Sequence, residues 1–403
     1  MMEQFSDQLK TRLKDPAYDY RQDCFLEYLK MPKRTHKESP MTKDYVDMPE
    51  RDLETMATTL TNVQSDIRLD SESDVLVLDG RILNKRKIEG VTIGEMQETI
   101  DQIPEYVWKE KGKDREEFLI NASWSSGYFV NVESNVNATV SIDFRNSMHS
   151  GSEKNVIIIG KYSNAKIVET RRNIGEKKGS PTQGKSLYIF LGEGSNFDYN
   201  YLQDKELNIN DITFIRAFQQ EESNFRIFHI NHGSGKVLFV NESTQIGNNS
   251  DYKVFGATFS NGKQSIDVRD SSFQLGLSTS ADIQVRGVVS GQSSTIHRGN
   301  VDIELPSVNS TGFYDSKILL LSKEGYANSK PGLVIRNNNT RSKHGSAISN
   351  VDKEQILYLQ SRGIDEKTSV NLITGGFIES ILQKSDNPSF IEQVNIYSKE
   401  LVD

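Results

Sequence analysis

Cysteine is nearly absent: Cys24 is the one example in 403 residues. A single thiol excludes an internal disulfide and fits a reducing compartment. It also excludes a multi-cysteine zinc or iron–sulfur site built from this chain alone. Long apolar runs are missing too. The longest, such as NVIIIG, are strand-sized and far below the ~20 residues a membrane helix needs. The opening MMEQFSDQLKTRLKD has no apolar h-region, which predicts no signal peptide and a cytoplasmic protein. Basic excess is lacking: 48 Lys and Arg face 56 Asp and Glu, a net charge of −8. No basic stripe is visible, so nucleic acid is not an expected partner. Mixed-sign stretches such as KEKGKDREE read as solvated faces.

The catalytic motifs are absent as well. There is no G-x-x-x-x-G-K-S/T for nucleotide hydrolysis and no G-x-S-x-G nucleophile elbow. GEGSNF leads from one strand into another, so no helix N-terminus awaits a phosphate. Cys24 lies in a helical pattern without an evident base and reads as a buried apolar residue. His229 and His232 in FHINHG are three apart, and on a strand such residues face opposite sides, so they chelate only if a turn intervenes. The remaining histidines are His36, His149, His297 and His344. Lone carboxylates such as Asp267 and Asp302 read as structural. The motifs identify no enzyme.

What is present divides by period. Residues 1 to 117 mix helical stretches (QFSDQLKTRL, FLEYLK) with the proline-punctuated linker MPKRTHKESPMTKDYVDMPE. In the same region VLVLDGRI reads as a strand and IGEMQETIDQI as a helix. From 118 to 350 the period is two. YFVNVES, NATVSIDF, NVIIIGKY, SLYIFLG, DITFIRAF, KVLFVNES, YKVFGATF and ADIQVRGVV are among the short β-branched and aromatic runs bounded by Gly, Asn, Ser or Asp. So many strands exceed what a sandwich or barrel absorbs, and a solenoid accommodates them coil upon coil. The Asn-rich turns SNAK, GSNF, ESNF and IGNNSD suit left-handed corners. A large antiparallel β domain is the alternative. From 351 to 403 the period returns to 3.6. Asp352 is placed as N-cap with Gln355 in a capping box, and Gly363 as a stop. A second helix is expected over 366–383, and a third from Pro388. The chain is thus read as mainly β, with a β-helix core flanked by helical N- and C-terminal regions.

The stretch HGSAISNVDKEQILYLQSRGIDEKTSVNLITGGF resembles the C-terminal signature of the SufB/SufD family, from His344 through Tyr358, Leu359, Ser361, Arg362, Gly363 and Ile364 to Gly376 and Phe377. GVVSGQSSTIHRGNVDI, SKILLLSKEGYANSKPGLVIRNN and GKQSIDVRD resemble further family segments in order, so the likeness covers about 260 to 380. It implies a right-handed parallel β-helix and a non-catalytic subunit of the SUF iron–sulfur cluster assembly system. It also implies C-terminal helices that grip a SufC-like ABC-type ATPase, and a SufB-like scaffold, or a second copy, as β-helix partner. No stably bound cofactor is implied, only transient iron or an iron–sulfur cluster at a subunit interface. His344 matches the family's functional histidine as a metal and interface candidate. Ile356, Leu357, Leu359, Phe377 and Ile378 fall where the ATPase contact is implied. The chain has His344-Gly345 where SufB-like members have a His-Glu turn, and Gly325 near their cysteine position, which favours SufD. SufD-like chains commonly carry cysteine where this one has Ser342, and a histidine after the Q-x-x-D segment is replaced in RDSSF. The alternatives are a SufB-type scaffold and a β-helix polysaccharide lyase or binding protein.

Overall fold

The computed structural model describes residues 17–32, 46–59, 71–175, 179–385 and 387–401. The helix expected in QFSDQLKTRL, most of the linker and His36 lie outside them. Three helices open the described chain: α1 (Tyr18–Lys30), α2 (Glu50–Thr58) and α3 (Arg115–Ser123). Between α2 and α3 run β1 (Val75–Leu78), β2 (Arg81–Lys85) and β3 (Val91–Glu95). Sixteen further strands follow. The shorter β4 (Tyr128–Val132) leads to β5 (Asn137–Ser147), β6 (Gly151–Ile159), β7 (Asn164–Ile174), β8 (Thr182–Leu191), β9 (Asn196–Lys205) and β10 (Asn210–Gln219). Next come β11 (Asn224–Gly233), β12 (Lys236–Gln245), β13 (Asp251–Ser260), β14 (Ser265–Gln274) and β15 (Ser280–Val289). The last are β16 (Ser294–Ile303), β17 (Ser310–Leu320), β18 (Tyr326–Ile335) and β19 (Thr340–Asn350). Helices α4 (Lys353–Ser361), α5 (Glu366–Leu382) and α6 (Pro388–Glu400) close the chain.

From β4 on, consecutive strands alternate between two sheets, and each strand pairs in parallel with the one two places on. The result is a parallel β-solenoid of about eight turns, flanked by N- and C-terminal helices. The odd-numbered strands from β5 to β19, with β1 and β2, form a ten-stranded sheet, and the even-numbered ones from β4, with β3, form a nine-stranded sheet. One coil spans as few as 26 residues, from Asn210 to its partner Lys236, and as many as 32, from Ser294 to Tyr326. Val140, Ile142, Phe144, Ile167, Leu187, Ile189, Ile227, Val254 and Ile283 fill the space between the sheets.

The corners explain why the chain coils. Asn135, Tyr162, Gly194, Glu222, Asn249, Ser278 and Asn309 stand at the same corner of successive coils, all with φ between 54° and 63°. Asparagine and glycine suit that geometry, as expected, but Tyr162, Glu222 and Ser278 also adopt it. The serine after it closes the turn: Ser195 Oγ donates to the Gly192 carbonyl at 2.7 Å, and Ser223 Oγ to Gln220 at 2.7 Å. The next residue joins a side-chain ladder. Asn164, Asn196 and Asn224 each donate from Nδ2 to Oδ1 of the residue one coil below, beginning at Asn137, at 2.7 to 2.9 Å.

Helices cover both outer faces. Tyr20, Cys24, Phe25, Leu53, Met56 and Leu119 pack with Ile212, Phe214 and Val240 of the nine-stranded sheet. Ile378, Ile381, Phe390, Val394 and Tyr397 pack with Phe228, Ile230, Phe255 and Phe259 of the ten-stranded one. The three C-terminal helices begin where their caps place them. Asp352 accepts from Glu354 N at 2.8 Å, Asp365 from Thr368 N at 3.0 Å and Asn387 from Phe390 N at 3.4 Å.

Two expectations are corrected. IGEMQETIDQI is not a helix: Ile93 to Glu95 finish β3, and only a 3₁₀ turn, Ile100–Gln102, follows. Antiparallel pairing of β3 with β4 closes the first coil and overrides helical spacing. His344-Gly345 is not a turn either. Both residues lie inside β19, which continues its parallel ladder with β17 to Asn350.

Candidate functional site

The two ends of the solenoid differ. At the N-terminal end the outermost strands, β2 and β3, run antiparallel to their neighbours, and β2 presents Arg81 and Lys85 to solvent. Short, charged, reversed edges resist further pairing. At the C-terminal end the outermost strands are β18, of 10 residues, and β19, of 11, both parallel and in register with the coil beneath. Their free edges expose a row of backbone donors and acceptors about 35 Å long at ~3.3 Å per residue. Ile335 is 41% and Ile348 43% exposed there, although the residues they pair with, Ile303 and Ile318, are fully buried.

His344 sits in the middle of this open end. In-register parallel partners share a face. Its partner Tyr314 is buried in the core, so His344 stands on the inward face, above Tyr314 at the mouth of the solenoid, and is itself exposed. Ser342 shares that face: its partner Gly312 points at Val301 of the opposite sheet, and the Ser342 hydroxyl is a buried oxygen without a hydrogen-bond partner among the described residues. Gly325 precedes β18, and its Cβ position faces Ser322 Oγ, Val289 and Leu320 rather than His344. The structure therefore brings Ser342 and His344 together and leaves Gly325 apart. Among the described residues no group of three or more His, Cys, Asp or Glu side chains is arranged to hold a metal ion.

The other described histidines are engaged elsewhere. His229 and His232 do face opposite sides of β11. His229 is buried between Asn231, whose amide lies 3.0 Å from Nδ1, and Asp270, 3.2 Å from Nε2. His232 lies on the outside, 3.0 Å from Asp204 and stacked on Tyr397 of α6 with ring centres 3.9 Å apart. His297 meets Thr258 at 2.9 Å and Ser316 at 3.1 Å, and burial lowers its pKa to about 3. His149 approaches Asp79 at 3.7 Å. Asp267 forms a buried two-point pair with Arg298 at 2.8 and 2.7 Å, and Asp302 pairs with Arg336, so both carboxylates are structural. A buried network of Glu169, Arg171, Glu153 and Lys185 is likewise self-paired. Burial raises the Glu169 carboxyl, but Lys185 and Arg171 outweigh it and hold the group well below the usual carboxylate range.

The five residues expected at an ATPase contact separate into two sets. Ile378 is 1% exposed and Phe377 packs beside it, both in the cluster between α5 and the ten-stranded sheet. Leu357 is 64% exposed, and Ile356 and Leu359 are half-buried, on α4, which has no buried residue. Tyr358 and Leu372, which the sequence reading did not single out for this contact, extend the exposed apolar surface. A helix with such a surface and no core of its own requires a cover.

Comparison with known proteins agrees with this architecture. Residues 142–377, more than half of the chain, match the family described as SUF system FeS cluster assembly, SufBD core domain. An iron–sulfur cluster assembly SufBD family protein of Staphylococcus epidermidis is 24% identical over 265 residues, which are 65% of this chain and 57% of that protein. The SufBD family protein ycf24 of Porphyra purpurea is 26% identical over 155 residues, 38% of this chain and 32% of that protein. A Staphylococcus aureus relative is 23% identical over 265 residues. The chain thus spans little more than half the length of the staphylococcal relatives it matches.

Proposed function

Because this chain belongs to the SufBD family and so has a role in iron–sulfur cluster assembly, we propose that it is the SufD-like, non-catalytic subunit of a cytoplasmic assembly complex. In this reading β18 and β19 pair edge to edge with a SufB-like scaffold, and α4 with the exposed face of α5 engages a SufC-like ABC-type ATPase. The open C-terminal end of the solenoid carries the proposal. Two long parallel edges with exposed Ile335 and Ile348 resemble a core cut in half, whereas the opposite, N-terminal end is blunted.

His344 is then a single ligand candidate at the seam. An imidazole binds iron competently, and the remaining donors for a transient cluster, which is the complex's cargo, come from the partner. Nucleotide-driven movement of the ATPase pulls on α4 and rearranges the seam. The absence of cysteine at Gly325 supports the SufD-like assignment over a scaffold role, whereas Ser342 departs from the SufD-like pattern.

The test is gel filtration of the chain mixed with a SufB-like scaffold and a SufC-like ATPase. Ile335→Asp with Ile348→Asp removes the scaffold and keeps the ATPase, and Leu357→Asp does the reverse. Both variants replace exposed side chains and leave the free chain folded. Undiminished binding of both partners by both variants refutes the assignment.

A further inference from the structure

An exposed apolar strip runs along the outer face of the nine-stranded sheet, at the corner where the left-handed turns lie. Its floor is the in-register column Ile158, Phe190 and Phe218, one residue each from β6, β8 and β10. The Phe190 and Phe218 rings stack 5.0 Å apart, and Tyr106 stands edge-on to Phe190 at 5.1 Å as a side wall. With Ile246 these residues line a groove of about 430 Å³. The strip continues along the corner. Ile246 and Leu275 follow the paired residues Gln245 and Gln274, and Leu305 lies one coil further. They are 45%, 39% and 67% exposed. Their loops are fixed to one another by backbone bonds, Asn249 N to Leu277 O and Ser278 N to Val308 O, each 2.9 Å.

Three properties define what fits. From Ile158 to Leu305 the strip takes five coil steps, ~24 Å at ~4.8 Å between strands. A helix advances about 5.4 Å per turn, so one laid along the solenoid axis sets roughly one turn on each coil over ~16 residues. A strand has nothing to pair with here, because β6 to β16 already have a neighbour on both sides in their sheet. The rim is acidic. Glu221 and Glu222 are exposed at the corner, Glu193 lies beside them, and Glu110 lines the groove. Lys161 is the one cation among the described lining residues, and it is bound to Glu193 at 3.0 Å.

We infer that this strip docks an amphipathic helix of a partner protein, with apolar residues about once per turn and lysine or arginine along its flanks. The helix lies across the strands with its apolar side over Phe190, Phe218, Ile246 and Leu275 and its basic flank against Glu221 and Glu222. The site is separate from the seam at β18 and β19, so it adds a partner without displacing the scaffold.

The test uses the full chain and a labelled 16-residue peptide with leucines at i, i+4, i+7 and i+11 and lysines on both flanks, read by fluorescence anisotropy. Saturable binding is expected, weakened at least tenfold by Ile246→Asp with Leu275→Asp. Glu221→Gln with Glu222→Gln reduces both the affinity and its salt dependence, and a glutamate-flanked peptide does not bind. Because Ile246 and Leu275 are exposed, a circular dichroism spectrum matching the wild type confirms that loss of binding is local. Three results overturn the inference: no binding, or binding that both variants leave unchanged; binding that requires removal of residues 1–16, which makes the chain's own N-terminus the occupant; or a self-association abolished by the same aspartates, which makes it a second copy.

Discussion

Lys154 shows how a single side chain records the packing of the N-terminal helices on the solenoid. Its ammonium is fully buried, donates to Tyr20 Oη at 2.9 Å and Asn121 Oδ1 at 3.1 Å, and lies 3.8 Å from the centre of the Tyr188 ring. Burial lowers its pKa from 10.5 to about 7, and burial raises the neighbouring Cys24 thiol from 9.0 to about 12. Between pH 7 and 8 the unfolded chain still holds the Lys154 proton while the folded chain releases it. The unfolded state therefore binds more protons and stability rises with pH, by at most about 1.4 kcal/mol per unit. Lys185, lowered to about 8 mainly by burial, adds to the rise from pH 8, and Cys24 opposes it above pH 9. Urea midpoints at pH 7 and pH 8 are expected to converge in Lys154→Met, and an unchanged difference contradicts this account. Burial of Cys24 was legible, because a lone cysteine on a helix is usually an apolar residue. Burial of Lys154 was not, because KNVIII alternates nowhere and its outer face at Lys154 is covered by the N-terminal helices.

Among the elements, the corner loops carry the repeat that the strands conceal. Aligned on the coil, IGKYSN, LGEGSN and IGNNSD share a glycine followed by Ser-Asn or Ser-Asp; the Ser-Asn and Ser-Asp turns were legible as left-handed corners, the glycine in register with them was not. At Gly247 a Cβ would lie 1.9 Å from the backbone nitrogen of Glu221 in the coil below. Gly247→Ala therefore forces two coils apart and is expected to cost more than ~2 kcal/mol in chemical denaturation, whereas a change under ~0.5 kcal/mol would disprove the close approach. The strands themselves were largely readable from period two, down to the opposed faces of His229 and His232. Strand β19 was not: TRSKHGSAISN pairs along one edge only, with β17, so the polar residues that signalled a turn belong to the exposed last strand of a sheet. Helix α6 depends on tertiary packing, with Phe390 set edge-on to Phe228 at 6.0 Å. Phe390→Ala is expected to remove ~3 kcal/mol, and hydrogen exchange should show faster opening of α6 with the solenoid amides unaffected.

As a whole molecule the chain is a rod with one finished end and one unfinished end. Its N-terminal coil is closed by reversed strands, and helices cover much of both sheets, yet the C-terminal coil leaves two long edges, Ile335, Ile348 and His344 facing outward. The family was legible in the ordered segments from 260 to 380, and the solenoid in the run of short strands and Asn-rich turns from 118 to 350. The asymmetry of the ends was not, because it depends on which strand has no successor, a property of topology rather than of any one residue. The same holds for Ile378, whose helical position matched an expected ATPase contact but whose side chain is buried in the cluster that α5 and α6 form on the ten-stranded sheet. The central claim is that β18 and β19 are completed by another subunit. Hydrogen–deuterium exchange of the full chain, alone and with a SufB-like scaffold, tests it most directly. The account predicts rapid exchange at the outward amides of β18 and β19 in the free chain and strong protection of those amides in the complex, with little change in β2 and β3. A complex that forms while β18 and β19 exchange as fast as in the free chain would contradict it.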